Sequence, residues 1–154
     1  MIDTLVTSAT ILAEVKAKTK DAALKELLGA AQAEGVVAKK LVAVLGKKLL
    51  DREAIGSTGL GNGVAVPHLK HEDIVAPSMV LARATVPIEW QAIDGRPVSI
   101  MFLVVSPAGD PESHLQCLRW ISTLARNPDF RRFLTDARGV DQMRELLREL
   151  SPKK

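Results

Sequence analysis

Tyrosine is missing from this 154-residue chain, aromatic residues make up 3% of it, and cysteine occurs once. So few aromatics leave no stacking platform for single-stranded nucleic acid. The 21 Lys and Arg are interspersed with 18 Asp and Glu, so no basic stripe marks a duplex-binding face and no nucleic-acid partner is expected. A lone Cys117 excludes both an internal disulfide and a cysteine-based metal knuckle, and a reducing compartment is the simplest setting. Nowhere do about eighteen apolar residues run together, as a bilayer-crossing helix would need. Met1-Ile2-Asp3-Thr4-Leu5 lacks the basic n-region of a secretory signal. The expectation is a cytoplasmic protein without direct membrane insertion.

What remains is ordinary for one globular domain spanning 1–154: 47% hydrophobic and 25% charged residues, with a net charge of +3 and a pI near 9.2. That mild positive balance suits an acidic protein partner or a phosphate. Periodicity predicts a strand over 11–15, a helix over 19–34 capped by Thr19 or Asp21, and a second helix marked by Val37, Leu41, Val44, Leu45 and Leu49. The lysines on its outer face, Lys39, Lys40, Lys47 and Lys48, read as a solvated surface. Val64-Ala65-Val66 reads as a buried strand, and runs over 79–88 and 98–105 around Asp94-Gly95-Arg96-Pro97 read as a hairpin. A helix over 112–125, broken by Asn127-Pro128, and two shorter helices complete the chain. The fold class is α/β: a three-layer α/β/α sandwich with a mixed sheet of four to five strands flanked by helices.

Arg52-Glu53-Ala54-Ile55-Gly56-Ser57-Thr58-Gly59-Leu60-Gly61-Asn62-Gly63-Val64-Ala65-Val66-Pro67-His68 is the most informative segment. It carries a cation, two hydroxyls and a run of glycines up to a histidine preceded by proline. A neutral imidazole nitrogen can attack phosphorus. The transferred group spreads its charge over its oxygens, so catalysis rests on donors aimed at them. Arg52, Ser57 and Thr58 can supply such donors, and Gly59 and Gly61 can bring backbone N–H groups to an anion. Pro67 biases Val66 towards an extended conformation, which sets the direction in which His68 emerges. A dinucleotide fingerprint fails, because Gly59-Leu60-Gly61-Asn62-Gly63 has the wrong spacing and precedes an extended run. A Walker loop fails, because no Lys-Ser/Thr follows the last glycine. An ordinary glycine-rich turn before a buried strand stays open.

His114 lies in the first turn of a predicted helix and can act as a second ligand for a phosphoryl group, or simply cap the helix or face solvent. His68-Leu69-Lys70-His71 has an H-x-x-H spacing that, with His114, would make a three-histidine zinc site only if one local turn put the pair on one side. His71 reads instead as an exposed loop residue. Cys117, Trp90 and Trp120 read as core packing, with Trp90 open to a partner surface. No G-x-S-x-G elbow or persuasive Ser-His-Asp order occurs. Neither metal nor cofactor is called for.

These residues resemble the fructose/mannitol type of enzyme IIA domain of the bacterial phosphoenolpyruvate-dependent phosphotransferase system, including its nitrogen-regulatory relatives. The resemblance covers nearly the whole chain. It rests chiefly on Glu53 followed by Leu60-Gly61-Asn62-Gly63-Val64-Ala65-Val66-Pro67-His68, with Arg52 and Ser57-Thr58-Gly59 before it, and on Trp90, Asp94-Gly95, Pro97-Val98, His114-Leu115 and Leu118 after it. It implies an α/β/α fold and a phosphoryl acceptor at His68, through Nε2. Arg52 and His114 would hold the phosphoryl oxygens, with Ser57 and Thr58 in support. The implied donor is the phosphocarrier HPr or an HPr-like protein, and the implied receiver is a separate IIB component; a stand-alone regulatory module acting on a transporter or kinase is the other implied role. One departure is Leu69, where the family has a small residue. It would either narrow a donor's approach or add apolar docking surface.

Overall fold

The strand over 98–107 explains the architecture. In a computed structural model that describes residues 2–151, Val98, Met101, Leu103 and Val105 join one buried cluster while Ile100, Phe102 and Val104 join another. A strand buried on both faces reads as an unbroken apolar run. Helices therefore cover both sides of the sheet.

The elements run α1 (Ile2–Ser8), β1 (Thr10–Leu12), α2 (Lys20–Ala33), a 3-10 turn at Lys39–Leu41, α3 (Val42–Ile55), β2 (Gly59–Gly61), β3 (Val64–Ala65), β4 (His68–His71), β5 (Ser78–Ile88), β6 (Val98–Pro107), α4 (Pro111–Arg126), α5 (Pro128–Asp136) and α6 (Val140–Leu150). The mixed sheet has the order β1-β5-β6-β3-β2, with β4 also on β6. The expected hairpin is present as antiparallel β5 and β6, whereas β3 and β4 run parallel to β6. Leu24, Leu27 and Leu28 of α2 and Leu45 and Leu49 of α3 fill one core. Leu5 and Val6 of α1, with Ile121, Phe130, Met143 and Leu147 of α4 to α6, fill the other. Thr19 caps α2 by accepting from the Ala22 N–H at 3.2 Å, and Asp110 caps α4 by accepting from the Ser113 N–H at 3.2 Å.

The sheet has six strands rather than four or five. Of the two extra strands, β2 consists of Gly59, Leu60 and Gly61, too short and glycine-rich to read as a strand, and β4 runs on from His68 to His71. β3 and β4 lie along the same edge of β6, with Ala65 opposite Met101 and His68 opposite Val104. The break between them falls at Pro67, which has no N–H to donate and whose carbonyl accepts from Val104 at 3.0 Å. His68 thus begins a strand of its own instead of ending the preceding one. The first strand lies at 10–12, earlier than expected, behind an additional helix α1, and α3 begins at Val42 because residues 39–41 form the 3-10 turn.

Candidate functional site

His68 stands at the joint between β3 and β4, half-buried, with its Nδ1 2.7 Å from the Val66 carbonyl oxygen. A carbonyl only accepts, so Nδ1 carries the proton and donates it. Nε2 is left with a free lone pair. The neighbouring ring is His114, in the first turn of α4, its centroid 5.6 Å away and its plane tilted by 49°. His114 is buried, 6% exposed, and its Nδ1 lies 2.8 Å from the Ser106 hydroxyl near the end of β6. Burial first, and then the nearness of a second imidazole and of the Lys70 ammonium, push its pKa down to about 4, so it is neutral at physiological pH.

Arg52 occupies the last turn of α3, where one guanidinium nitrogen donates to the Gly56 carbonyl at 2.6 Å and so closes the helix end. Arg52, Lys48 and Ile55 of α3, His68 and Lys70 of β4, and His114 line one cleft of about 410 Å³. Arg52 and His68 also border an adjoining cleft of about 180 Å³ with Leu60 and Leu118. The sequence-predicted acceptor, guanidinium and second histidine therefore meet at one place. Lys48, which the sequence placed on a solvated face, and Lys70 add cations there. Other depressions, between α5 and α6 around Phe133 and between α2 and α3 around Leu28, are lined by no histidine or cysteine.

The glycine segment lies behind this cleft, where its side chains are tied to Glu53 and Trp90. Thr58 is buried; its hydroxyl donates to the Glu53 carboxylate and accepts from the Trp90 indole N–H at 3.2 Å. The Ser57 hydroxyl donates to the Trp90 carbonyl at 2.7 Å and accepts from the Gly59 N–H at 3.0 Å. Both side chains border the smaller cleft, and each hydroxyl proton is here taken by another acceptor, the Trp90 carbonyl and the Glu53 carboxylate. A Cβ on Gly59 would lie 2.6 Å from the Ala92 Cβ, so glycine is required for close packing there. Gly61 precedes the turn of a small hairpin in which Asn62 and Gly63 both have positive φ, at 58° and 78°.

Glu53 is the hub that sequence reading left without a role. Its carboxylate accepts from the Thr58 N–H at 3.2 Å and from Lys20 at 3.1 Å, and the Lys20 ammonium lies 5.9 Å from the Trp90 ring centre. Trp90 is fully buried, a packing anchor, not a partner surface. His71 is also corrected: it ends β4 with its side chain largely covered, and its Nδ1 accepts from the Asp73 N–H at 3.0 Å. Three residues on from His68 along a strand, it faces the opposite way. Among the described residues no three His, Cys, Asp or Glu side chains are grouped to hold a metal ion. Leu69 is 8% exposed and packs into the core under α2 and α3, so its bulk is absorbed inside the molecule. No helix among the described residues is long and apolar enough to cross a membrane.

The profile of the family described as "Phosphoenolpyruvate-dependent sugar phosphotransferase system, EIIA 2" matches residues 4–150. The chain belongs to this EIIA type-2 family. It is 35% identical to the nitrogen regulatory protein of Bradyrhizobium diazoefficiens over 95% of this chain and 94% of that one. It is 31% identical to the fructose-specific EIIA component of Haloferax volcanii, over 97% and 96%. It is 26% identical to the fructose-specific EIIABC component of Bacillus subtilis over 96% of this chain, spanning 23% of that longer protein. The nitrogen regulatory protein IIA-Ntr of Neisseria meningitidis superposes with a TM-score of 0.81 at 27% identity, covering 95% of this chain and 98% of that one. The IIA mannitol protein of Escherichia coli, solved in complex with phosphorylated IIB mannitol, shares the fold with a TM-score of 0.73 at 19% identity, covering 91% and 94%. Type-2 EIIA proteins are phosphotransfer components, and the mixed sheet between two helical layers is the fold of these neighbours.

Proposed function

We propose that this EIIA chain is a phosphohistidine carrier, with His68 accepting a phosphoryl group through Nε2 from HPr or an HPr-like protein and passing it to a separate IIB component in sugar uptake. The observation that carries this reading is the bond from His68 Nδ1 to the Val66 carbonyl, 2.7 Å long. It presents the nucleophilic lone pair of Nε2. As the P–N bond forms and the donor's bond to phosphorus breaks, positive charge develops on the ring, and the carbonyl stabilises it. Arg52, with Lys70 and Lys48 around the cleft, offsets the charge on the phosphoryl oxygens, and the neutral His114 lies one ring away. Ile55, 86% exposed, and Leu60, 41% exposed, give the two clefts an apolar rim suited to a protein donor. Neither metal nor cofactor takes part.

Incubation with phosphoenolpyruvate, the general carriers and a IIB protein tests it. Wild type should acquire acid-labile, base-stable label, His68→Ala should acquire none, and Arg52→Ala should label about 10- to 1000-fold more slowly. Label retained in the His68 variant would overturn the assignment. The second reading is a stand-alone regulatory module whose phosphorylation state controls a transporter or kinase. The 35% identity to a nitrogen regulatory protein favours it. A phosphoryl group adds nearly two negative charges to the docking surface. Label that leaves for IIB and sugar supports transport, whereas label that stays on the protein and changes partner affinity supports regulation.

A further inference from the structure

We propose that Ser106 is a positioning residue: by donating its hydroxyl proton to Nδ1 of His114 it fixes that ring as the Nε2–H tautomer, a hydrogen-bond donor standing at the His68 cleft. The donor's use in phosphoryl transfer rests on the reading of His68 given above, but the tautomer itself does not.

Along β6, Ile100, Phe102, Val104 and Ser106 alternate onto the face that packs against α1 and α4 to α6, and α4 carries His114. Ser106 is the polar member of that series and is 1% exposed. A buried hydroxyl proton must find an acceptor or forfeit a hydrogen bond. Among the described residues its oxygen has one partner, Nδ1 of His114 at 2.8 Å. Were Nδ1 protonated, it would occupy that oxygen as a donor and leave the serine proton with nothing to meet. With Nδ1 as the acceptor both groups are satisfied, and the ring's one proton sits on Nε2. Because His114 is neutral, it has no second N–H to offer, so the tautomer decides whether its outer edge donates or accepts.

The two histidines are thereby given opposite roles by what faces Nδ1. At His68 a carbonyl oxygen, which can only accept, puts the proton on Nδ1 and frees Nε2 for attack. At His114 a hydroxyl, which can donate, holds Nδ1 as an acceptor and so keeps the ring's one proton on Nε2, which becomes the donor. The Ser106 bond also fixes the rotation of the ring. A donor that is already aimed reorganises little during transfer.

Ring-nitrogen NMR of the unphosphorylated wild-type protein tests the assignment directly. His114 should show an unprotonated Nδ1 and a protonated Nε2 at neutral pH; a protonated Nδ1 overturns the proposal whatever any variant does. In Ser106→Ala, checked for fold by its amide spectrum, the His114 tautomers should mix. Transfer from a phosphorylated HPr-like carrier should slow about three- to tenfold, with KM for the carrier little changed. Ser106→Thr, which keeps the hydroxyl, should restore both the spectrum and the rate. A folded Ser106→Ala with the wild-type tautomer and rate contradicts the proposal, as does a folded Ser106→Thr that restores neither. If wild type takes no label on His68, the carrier reading fails while the tautomer result still stands on its own.

Discussion

Val66 and His68 are joined by a hydrogen bond of 2.7 Å from the imidazole Nδ1 to the carbonyl oxygen two residues earlier. The intervening Pro67 makes this local bond available. It interrupts the strand course between β3 and β4, and the ring folds back onto the backbone just before the break. The tautomer of His68 is therefore set within three residues, and Arg52, Lys48 and Lys70 supply the charge around it.

Burial of His114 sets a pH dependence of stability. Its imidazole titrates near 6.5 in the unfolded chain and about 4 in the folded protein, so between these values the unfolded state binds more protons. Stability falls as pH drops from about 6.5 to 4, by at most about 3 kcal/mol from this group. Denaturant unfolding at intervals across that range should show a steeper loss for wild type than for His114→Gln; parallel curves would contradict the assignment.

Glu53 ties α3 to the segment that follows it. Glu53→Ala leaves Lys20, the Thr58 N–H and the Thr58 hydroxyl without their acceptor, at a cost of about 3 kcal/mol. Urea unfolding should register that loss. Because Arg52 is the adjacent residue on the same helical turn, labelling of His68 should slow as well. A variant as stable as wild type would show that the cluster is not a structural hub.

Much of this arrangement was legible in the chain. The pairing of β5 with β6 followed from two apolar runs flanking the turn at Asp94-Gly95-Arg96-Pro97, and Pro67-His68 with Arg52 and His114 pointed to one site. What escaped did so for physical reasons. Gly59 through Gly63 resembled a loop built for an anion, because sequence shows that glycine permits unusual backbone but not what the backbone is shaped around. Here it is a hairpin turn and the close approach of Ala92. Ser57 and Thr58 looked free to donate because their partners, Trp90 and Glu53, are brought to them by tertiary packing. Ser106 was hidden inside an apolar strand, and only its pairing with His114 from the next helix gives it meaning.

Gly59 offers a steric test. Gly59→Ala places a methyl group 2.6 Å from the Ala92 Cβ and 2.9 Å from its Cα. The overlap should destabilise the protein by about 1–3 kcal/mol. Ala92→Gly in the same chain should recover part of that loss, because it removes the Cβ and leaves the backbone contact. Thermal unfolding of the two single variants and the pair measures the coupling; strict additivity would contradict the packing described.

The most direct measurement is phosphorus–nitrogen coupling in protein carrying ring-labelled histidine, phosphorylated by an HPr-like donor. Coupling to Nε2 of His68, with its Nδ1 still bonded to the Val66 carbonyl, is the predicted result. Coupling to Nδ1 of His68, or to either ring nitrogen of His114, would contradict the account.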